Sequence, residues 1–114
     1  MRYENLHAVR CLNGALDADL FRALAEPGRL DILKVLIQHG PANISDISAH
    51  VSQDRSVVSR HLKHLQSVNL LQCERRGRER WYDWDCPVLE AKLSALLDNL
   101  RALMAENTNC CTYT

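Results

Sequence analysis

Residues 52–82 read SQDRSVVSRHLKHLQSVNLLQCERRGRERWY, and inside them the apolar period changes from that of a helix to that of a strand. Val58, Leu62 and Leu65 recur at i, i+4 and i+7, which predicts one buried face on a helix from Arg55 to about Val68. Asp54 stands where an N-cap belongs. Ser56, Ser59, Arg60 and Lys63 share another face of that helix, with Arg55 and His61 beside them. Short hydroxyls and long cations together suit a helix laid in a major groove, within reach of base edges and phosphates. Beyond it, Leu71 and Cys73 alternate inward on a strand, Gly77 turns the chain, and Tyr82 and Trp84 alternate inward on the return. The hairpin carries Arg75, Arg76, Arg78 and Arg80 within six residues. A recognition helix followed by a basic hairpin makes a winged helix-turn-helix, mainly α with a two-stranded β-wing.

A solvated amphipathic helix beside a charged hairpin would look similar, and the distribution of charge separates the two readings. The whole chain is neutral, with 14 Lys and Arg against 14 Asp and Glu. From Arg55 to Arg80, however, seven cations face two acids, while both flanks are acidic. A neutral total hides a polarised molecule, and the basic stretch coincides with the helix and wing. Double-stranded DNA is the expected partner: Arg55, Ser56, Ser59, Arg60, His61 and Lys63 on the helix, with Arg76, Arg78 and Arg80 at the wing.

The 114 residues suit a single domain, with no internal repeat, low-complexity tract or linker. No apolar run is long enough to span a membrane, and MRYENLHAVR lacks the apolar core of a secretory signal. A cytoplasmic protein with reduced thiols is expected. No paired carboxylates, nucleophile with base, or phosphate loop suggests an enzyme. Upstream of the helix-turn-helix, a short helix over residues 3–12 should turn Leu6 and Val9 inward and end at Asn13-Gly14. A second, from about Asp17 to Ala25, presents Leu20, Phe21 and Leu24. Pro27 opens a third that should bury Leu30, Leu33, Leu36 and Ile37 and stop at His39-Gly40. Asn43 caps a fourth, with Asp46 three residues on and Ile44, Ile47 and Val51 as its packing face. Cys86-Pro87 starts the last helix, striped by Leu89, Leu93, Leu96, Leu97, Leu100, Leu103 and Met104. So long a stripe at the end of a small domain reads as a dimer face, and two-fold dimers read palindromic DNA.

FRALAEPGRLDILKVL, SVVSRHLKHLQSVNLL and ERRGRERWYDW together resemble the ArsR/SmtB family of dimeric bacterial winged-helix repressors, across about residues 17–105. The resemblance implies five helices with a two-stranded wing, a homodimer built from the first and last helices, and release of operator DNA on binding a metal, metalloid or thiol-modifying effector. Several effector sites of the family are missing. The thiolate site on the first helix of the helix-turn-helix would need cysteines where Asn43 and Ser45 stand. The zinc site of the last helices would need histidines, and none lies between Pro87 and Glu106. The recognition helix has no cysteine pair, and Asp31–Gln38 lacks the cysteine used by the dithiol redox sensors.

Five cysteines remain: Cys11, Cys73, Cys86 and the adjacent pair Cys110-Cys111 in the polar tail NTNCCTYT. The pair has no apolar stripe to pack into. Thiolates are soft ligands and select thiophilic ions, so As(III) or Sb(III) is the favoured inducer, with other soft metal ions open. Trivalent arsenic and antimony take three sulfurs in a pyramid. The pair supplies two, and Cys11 on the first helix is the preferred third. Cys86 starts its helix about 30 Å from the pair, and Cys73 reads as a core residue of the wing strand. His61 and His64 belong with DNA contact or local packing. His7, His39 and His50 look scattered, so a histidine-free site is expected. The alternative is a repressor whose thiols are oxidised or persulfidated without any metal.

Overall fold

A computed structural model describes residues 6–106. In chain order its elements are α1 (Leu6–Ala15), α2 (Ala18–Leu24), α3 (Pro27–His39), β1 (Ala42–Asn43), α4 (Ile44–His50), α5 (Arg55–Ser67), β2 (Leu71–Arg76), β3 (Glu79–Trp84) and α6 (Cys86–Glu106). The described residues fall into two compact units, one over 18–88 and one joining 6–17 to 89–106. Among them no helix is long and apolar enough to cross a membrane. The fold is a winged helix-turn-helix, mostly helical with a small antiparallel hairpin.

In the 18–88 unit, α5 packs against α3, α4 and β2. Its stripe is sealed as the period requires, with Val58, Leu62 and Leu65 fully buried. Asp54 takes the N-cap position with extended backbone, but its carboxylate accepts no cap hydrogen bond. The helix starts instead on the backbone, where Val58 N donates to the Asp54 carbonyl at 3.0 Å. Its end is sharper than the sequence suggested. Asn69 enters the left-handed region at φ 62°, Asn69 N donates to Gln66 O, and Leu70 N donates to Leu65 O. These are the two bonds of a Schellman motif, closed by the apolar contact between its ends. Leu65 and Leu70 are both fully buried.

Around this helix α3 supplies Ile32, Leu33, Val35 and Leu36 to the core. The expectation for Leu30 and Ile37 fails, because both stand on the open flank and Ile37 is 55% exposed. The buried face is rotated toward the β-branched Ile32 and Val35, and Phe21 of α2 is likewise left outside. Asn43 caps α4 as expected, its Oδ1 accepting from Asp46 N at 2.8 Å, and Ile47 fills the core.

The wing is longer on one edge than the sequence implied. Besides β2 and β3, the two residues of β1 pair with β3, Ala42 opposite Tyr82 and Asn43 opposite Trp81. The sheet therefore has three strands in the order β1-β3-β2. Along β2 and β3 the register runs from Leu71 opposite Trp84 to Arg76 opposite Glu79. Gly77 turns the hairpin at φ 63°, a conformation that costs a side-chain-bearing residue energy and glycine little. Leu71 and Tyr82 are buried on the inner face, with Cys73 and Trp84 half-buried beside them. Asp85 then ties the sheet to the next helix. Its N donates to Leu70 O at 2.7 Å, and its Oδ1 accepts from Val88 N at 3.2 Å, an N-cap for α6.

In the other unit α1 runs through Gly14 to Ala15 rather than ending at Asn13-Gly14, and the expected start at residue 3 lies outside the described residues. Ala8 is buried and Val9 half-buried, but Leu6 is exposed, against expectation. Lys92 Nζ lies 3.2 Å from Asp17 Oδ2. Asn99 Nδ2 donates to the Cys11 carbonyl at 3.4 Å. Leu103 is buried. Leu93, Leu97, Leu100 and Met104, in contrast, stay between 39% and 45% exposed along one line of α6.

Candidate nucleic-acid interface

Packing fixes which side of α5 faces out. With Val58, Leu62 and Leu65 sealed, Arg55, Ser56, Arg60 and Lys63 are all exposed, and Ser59 is half-buried among them. The wing adds Arg75, Arg76, Arg78 and Arg80, all exposed. Arg75 Nε donates to Gly77 O at 3.3 Å across the turn. Arg76 reaches Glu74 at 3.4 Å and lies over the Trp81 ring at 4.8 Å, so the aromatic face steadies its guanidinium. Asn43 Nδ2 donates to Glu79 Oε2 at 3.0 Å, clipping the wing to the start of α4. Among the described residues, Arg55, Arg60, Lys63, Arg78 and Arg80 take part in no ion pair. Arg55, Arg78 and Arg80 line one open cavity of about 280 Å³ together with Glu79, Asn43, Ser45 and Tyr82. Three guanidiniums against one carboxylate, itself hydrogen-bonded to Asn43, leave the cavity basic, a surface suited to a polyanion.

His61 is placed differently from its neighbours. Arg29 Nε donates to His61 Nδ1 at 3.3 Å. The same guanidinium donates to the carbonyls of Arg22 at 3.1 Å and Ala23 at 3.4 Å. Arg29 therefore bridges the end of α2 to the recognition helix, a role its place in EPGRL did not reveal. Because Arg29 can only donate, His61 Nδ1 holds a lone pair and the imidazole is neutral. Burial lowers its pKa first, Arg29 next, with Arg60 and His64 adding and Glu26 opposing. The turn between α4 and α5 is pinned by Gln53, whose Nε2 donates to Gly28 O at 3.1 Å. A Cβ on Gly28 would come within 2.7 Å of Gln53 Oε1.

The thiols are spread out. Cys11 is half-buried on α1 with its Sγ 3.6 Å from His7 Nε2. Cys73 is half-buried opposite Tyr82, and Cys86 is exposed at the start of α6. Cys110 and Cys111 lie outside the described residues. Among the described residues no three His, Cys, Asp or Glu side chains come together to hold a metal ion.

A family model described as "Bacterial regulatory protein, arsR family" matches residues 26–72, from the N-cap of α3 into β2. The chain is 29% identical to the transcriptional repressor PagR of Bacillus anthracis over 79% of its own length and 90% of PagR. The crystal structure of PagR superposes with a TM-score of 0.58 at 31% identity, covering 70% of this chain and 91% of that one. An arsenical resistance operon repressor of Bacillus subtilis is 36% identical over 55% of the chain and 60% of the repressor. A crystal structure of a "possible transcriptional regulator for arsenical resistance" gives a TM-score of 0.62 at 32% identity, over 74% of this chain and 85% of that one.

Burial of His61, with Arg29 beside it, gives the 18–88 unit a pH dependence. His61 has a folded pKa below its unfolded value of about 6.5. The unfolded chain therefore binds more protons below that pH. The contribution is fully present above about pH 6.5 and is lost as pH falls toward the lowered folded value. Urea unfolding between pH 7.5 and 5.5 should show a shallower loss of stability in His61→Gln than in the parent chain. Equal slopes would remove His61 as the cause.

Proposed function

Because the chain belongs to the arsR family of bacterial regulatory proteins, we propose that it is a homodimeric transcriptional repressor that releases its operator when a thiophilic ion binds its cysteine thiolates. It is a DNA-binding regulator rather than an enzyme, as its relatives are. The observation that carries the DNA reading is the open basic face, in which Arg55, Arg60 and Lys63 of α5 adjoin Arg78 and Arg80 of the wing without acid partners among the described residues. Ser56, Ser59, Arg60 and Lys63 read base edges and phosphates in the major groove, while Arg76, Arg78 and Arg80 hold backbone or minor groove. His61, neutral and tied to Arg29, fixes the helix beneath those contacts.

The inducer is As(III) or Sb(III), held by Cys110 and Cys111 with Cys11 as the third sulfur. Two relatives whose names speak of arsenical resistance support that choice, as does the softness of an all-thiolate site. Dimerisation through α6 is supported by the exposed line of Leu93, Leu97, Leu100 and Met104, an apolar surface that water disfavours. The contact between Cys11 and His7 favours a second reading, in which that thiol is oxidised or persulfidated and no ion is needed.

Arg60→Ala should weaken operator binding by about 1–3 kcal/mol, roughly fivefold to 150-fold, and relax sequence preference at one position. A gel-shift titration that finds both unchanged removes Arg60 from the interface. Leu97→Glu would bury a carboxylate without a partner in the two-fold face. Sedimentation at micromolar concentration should then show monomer where the parent chain is dimeric, and a monomeric parent would end the dimer proposal. Cys110→Ser with Cys111→Ser should leave operator affinity intact and abolish release by As(III) or Sb(III). Release that persists in this variant, or that follows peroxide or polysulfide alone in the parent chain, moves the sensor elsewhere.

A further inference from the structure

His39 is the last residue of α3 and His50 the last of α4. Eleven positions apart in sequence, they meet in space with ring centres 4.3 Å apart and planes tilted by 40°. Both side chains are exposed. His50 Nδ1 lies 2.8 Å from the Asp46 carbonyl oxygen. A carbonyl can only accept, so Nδ1 carries the proton and Nε2 keeps its lone pair. That is the tautomer of a metal-ligating histidine, whose far nitrogen is fixed by a backbone carbonyl. Each ring hangs from a helix C-terminus, where the helix dipole favours a cation.

We propose that His39 and His50 form a two-imidazole site for a divalent transition ion, with nickel(II) as the probe. Imidazole nitrogens sit about 2.0–2.1 Å from such an ion. Two of them at a right angle put the ring centres roughly 4.5 Å apart, and a tetrahedral angle puts them beyond about 5 Å. The observed 4.3 Å brings the rings close enough for one ion to be shared between them, and imidazole suits nickel(II), copper(II) and zinc(II) alike. No third protein ligand completes the pair among the described residues, so water fills the other positions. An ion here joins the ends of α3 and α4 across Gly40 and β1, inside the 18–88 unit. It binds the native arrangement and not the unfolded chain, and so stabilises the fold. The site is independent of the thiolates proposed as sensor and uses borderline imidazole ligands instead.

Titrating nickel(II) into the untagged chain by calorimetry, with near-ultraviolet absorption and a thermal melt on the same samples, tests the site. One ion per chain is expected, with a raised unfolding midpoint and no thiolate-to-nickel charge-transfer band. His39→Ala and His50→Ala should each weaken binding about tenfold or more, while His7→Ala and Cys11→Ser should not change it. Both histidines are exposed, so circular dichroism should find each variant folded; His39→Gln gives a second replacement at the same place. No binding, binding unchanged in the His39 and His50 variants, or binding with a charge-transfer band that Cys110→Ser removes would each overturn the assignment. The thiolate proposal would stand or fall separately, on DNA release by As(III).

Discussion

Burial of Val58, Leu62 and Leu65 against α3, α4 and β2 is the contact on which the rest of the DNA-binding unit depends. An α-helix has one rotation that seals a given stripe, and each residue is turned about 100° from the last. Once the three side chains are inside, Ser56, Arg60 and Lys63 have no choice but to face out. The same contact sets the wing. Leu70 closes the helix end against Leu65, Leu71 opens β2 one residue later, and past Cys73 the hairpin leaves all four of its arginines in solvent. The basic face is thus a by-product of apolar packing, carried outward by periodicity.

Electrostatics then works on positions that packing has already assigned. Exposed ion pairs contribute little, and here the nearby acids are spent elsewhere. Glu79 accepts from Asn43 and Glu74 meets Arg76. The remaining guanidiniums repel one another in the free protein, and a row of phosphates would relieve that repulsion. If this face meets DNA as proposed, it would bind through counterion release and be sensitive to salt. Its rigidity comes from neutral or shared contacts: the Asn43 clip, Arg76 over Trp81, and the lone pair of His61 taken by Arg29.

Features written in local periodicity were legible in the sequence: the α5 stripe, the wing and its arginines, the Asn43 cap and the exposed line on α6. What escaped depends on partners distant in the chain. β1 is two residues long and exists because β3 offers it an edge. Leu30 and Ile37 belong to a leucine-rich helix that could bury either of two flanks, and the neighbours selected the other. Arg29 reads as an ordinary cation of a Pro-Gly turn until His61 is found 32 positions away. His39 and His50 looked scattered because their relation is set by the α3–α4 connection rather than by any helical spacing. Asp54 is the reverse case, a capping residue in the right place whose backbone alone starts the helix.

For a thiophilic ion to act as inducer it must prefer one state of the repressor, since equal affinity for both shifts nothing. Moving a population from one per cent to ninety-nine takes about 5.5 kcal/mol of preference, more than a surface contact supplies. One hydrogen bond leads from Cys11 to α6. Its carbonyl accepts from Asn99 Nδ2, and Asn99 lies between Leu97 and Leu100, whose side chains form the exposed line of α6. A ligand that displaced the Cys11 backbone would strain this bond and tilt the leucines beside it. Hydrophobic faces tolerate such tilts poorly, because close packing is lost over many contacts at once. The preference would therefore come from the leucine face, with the ion needing only to move one hydrogen-bonded residue.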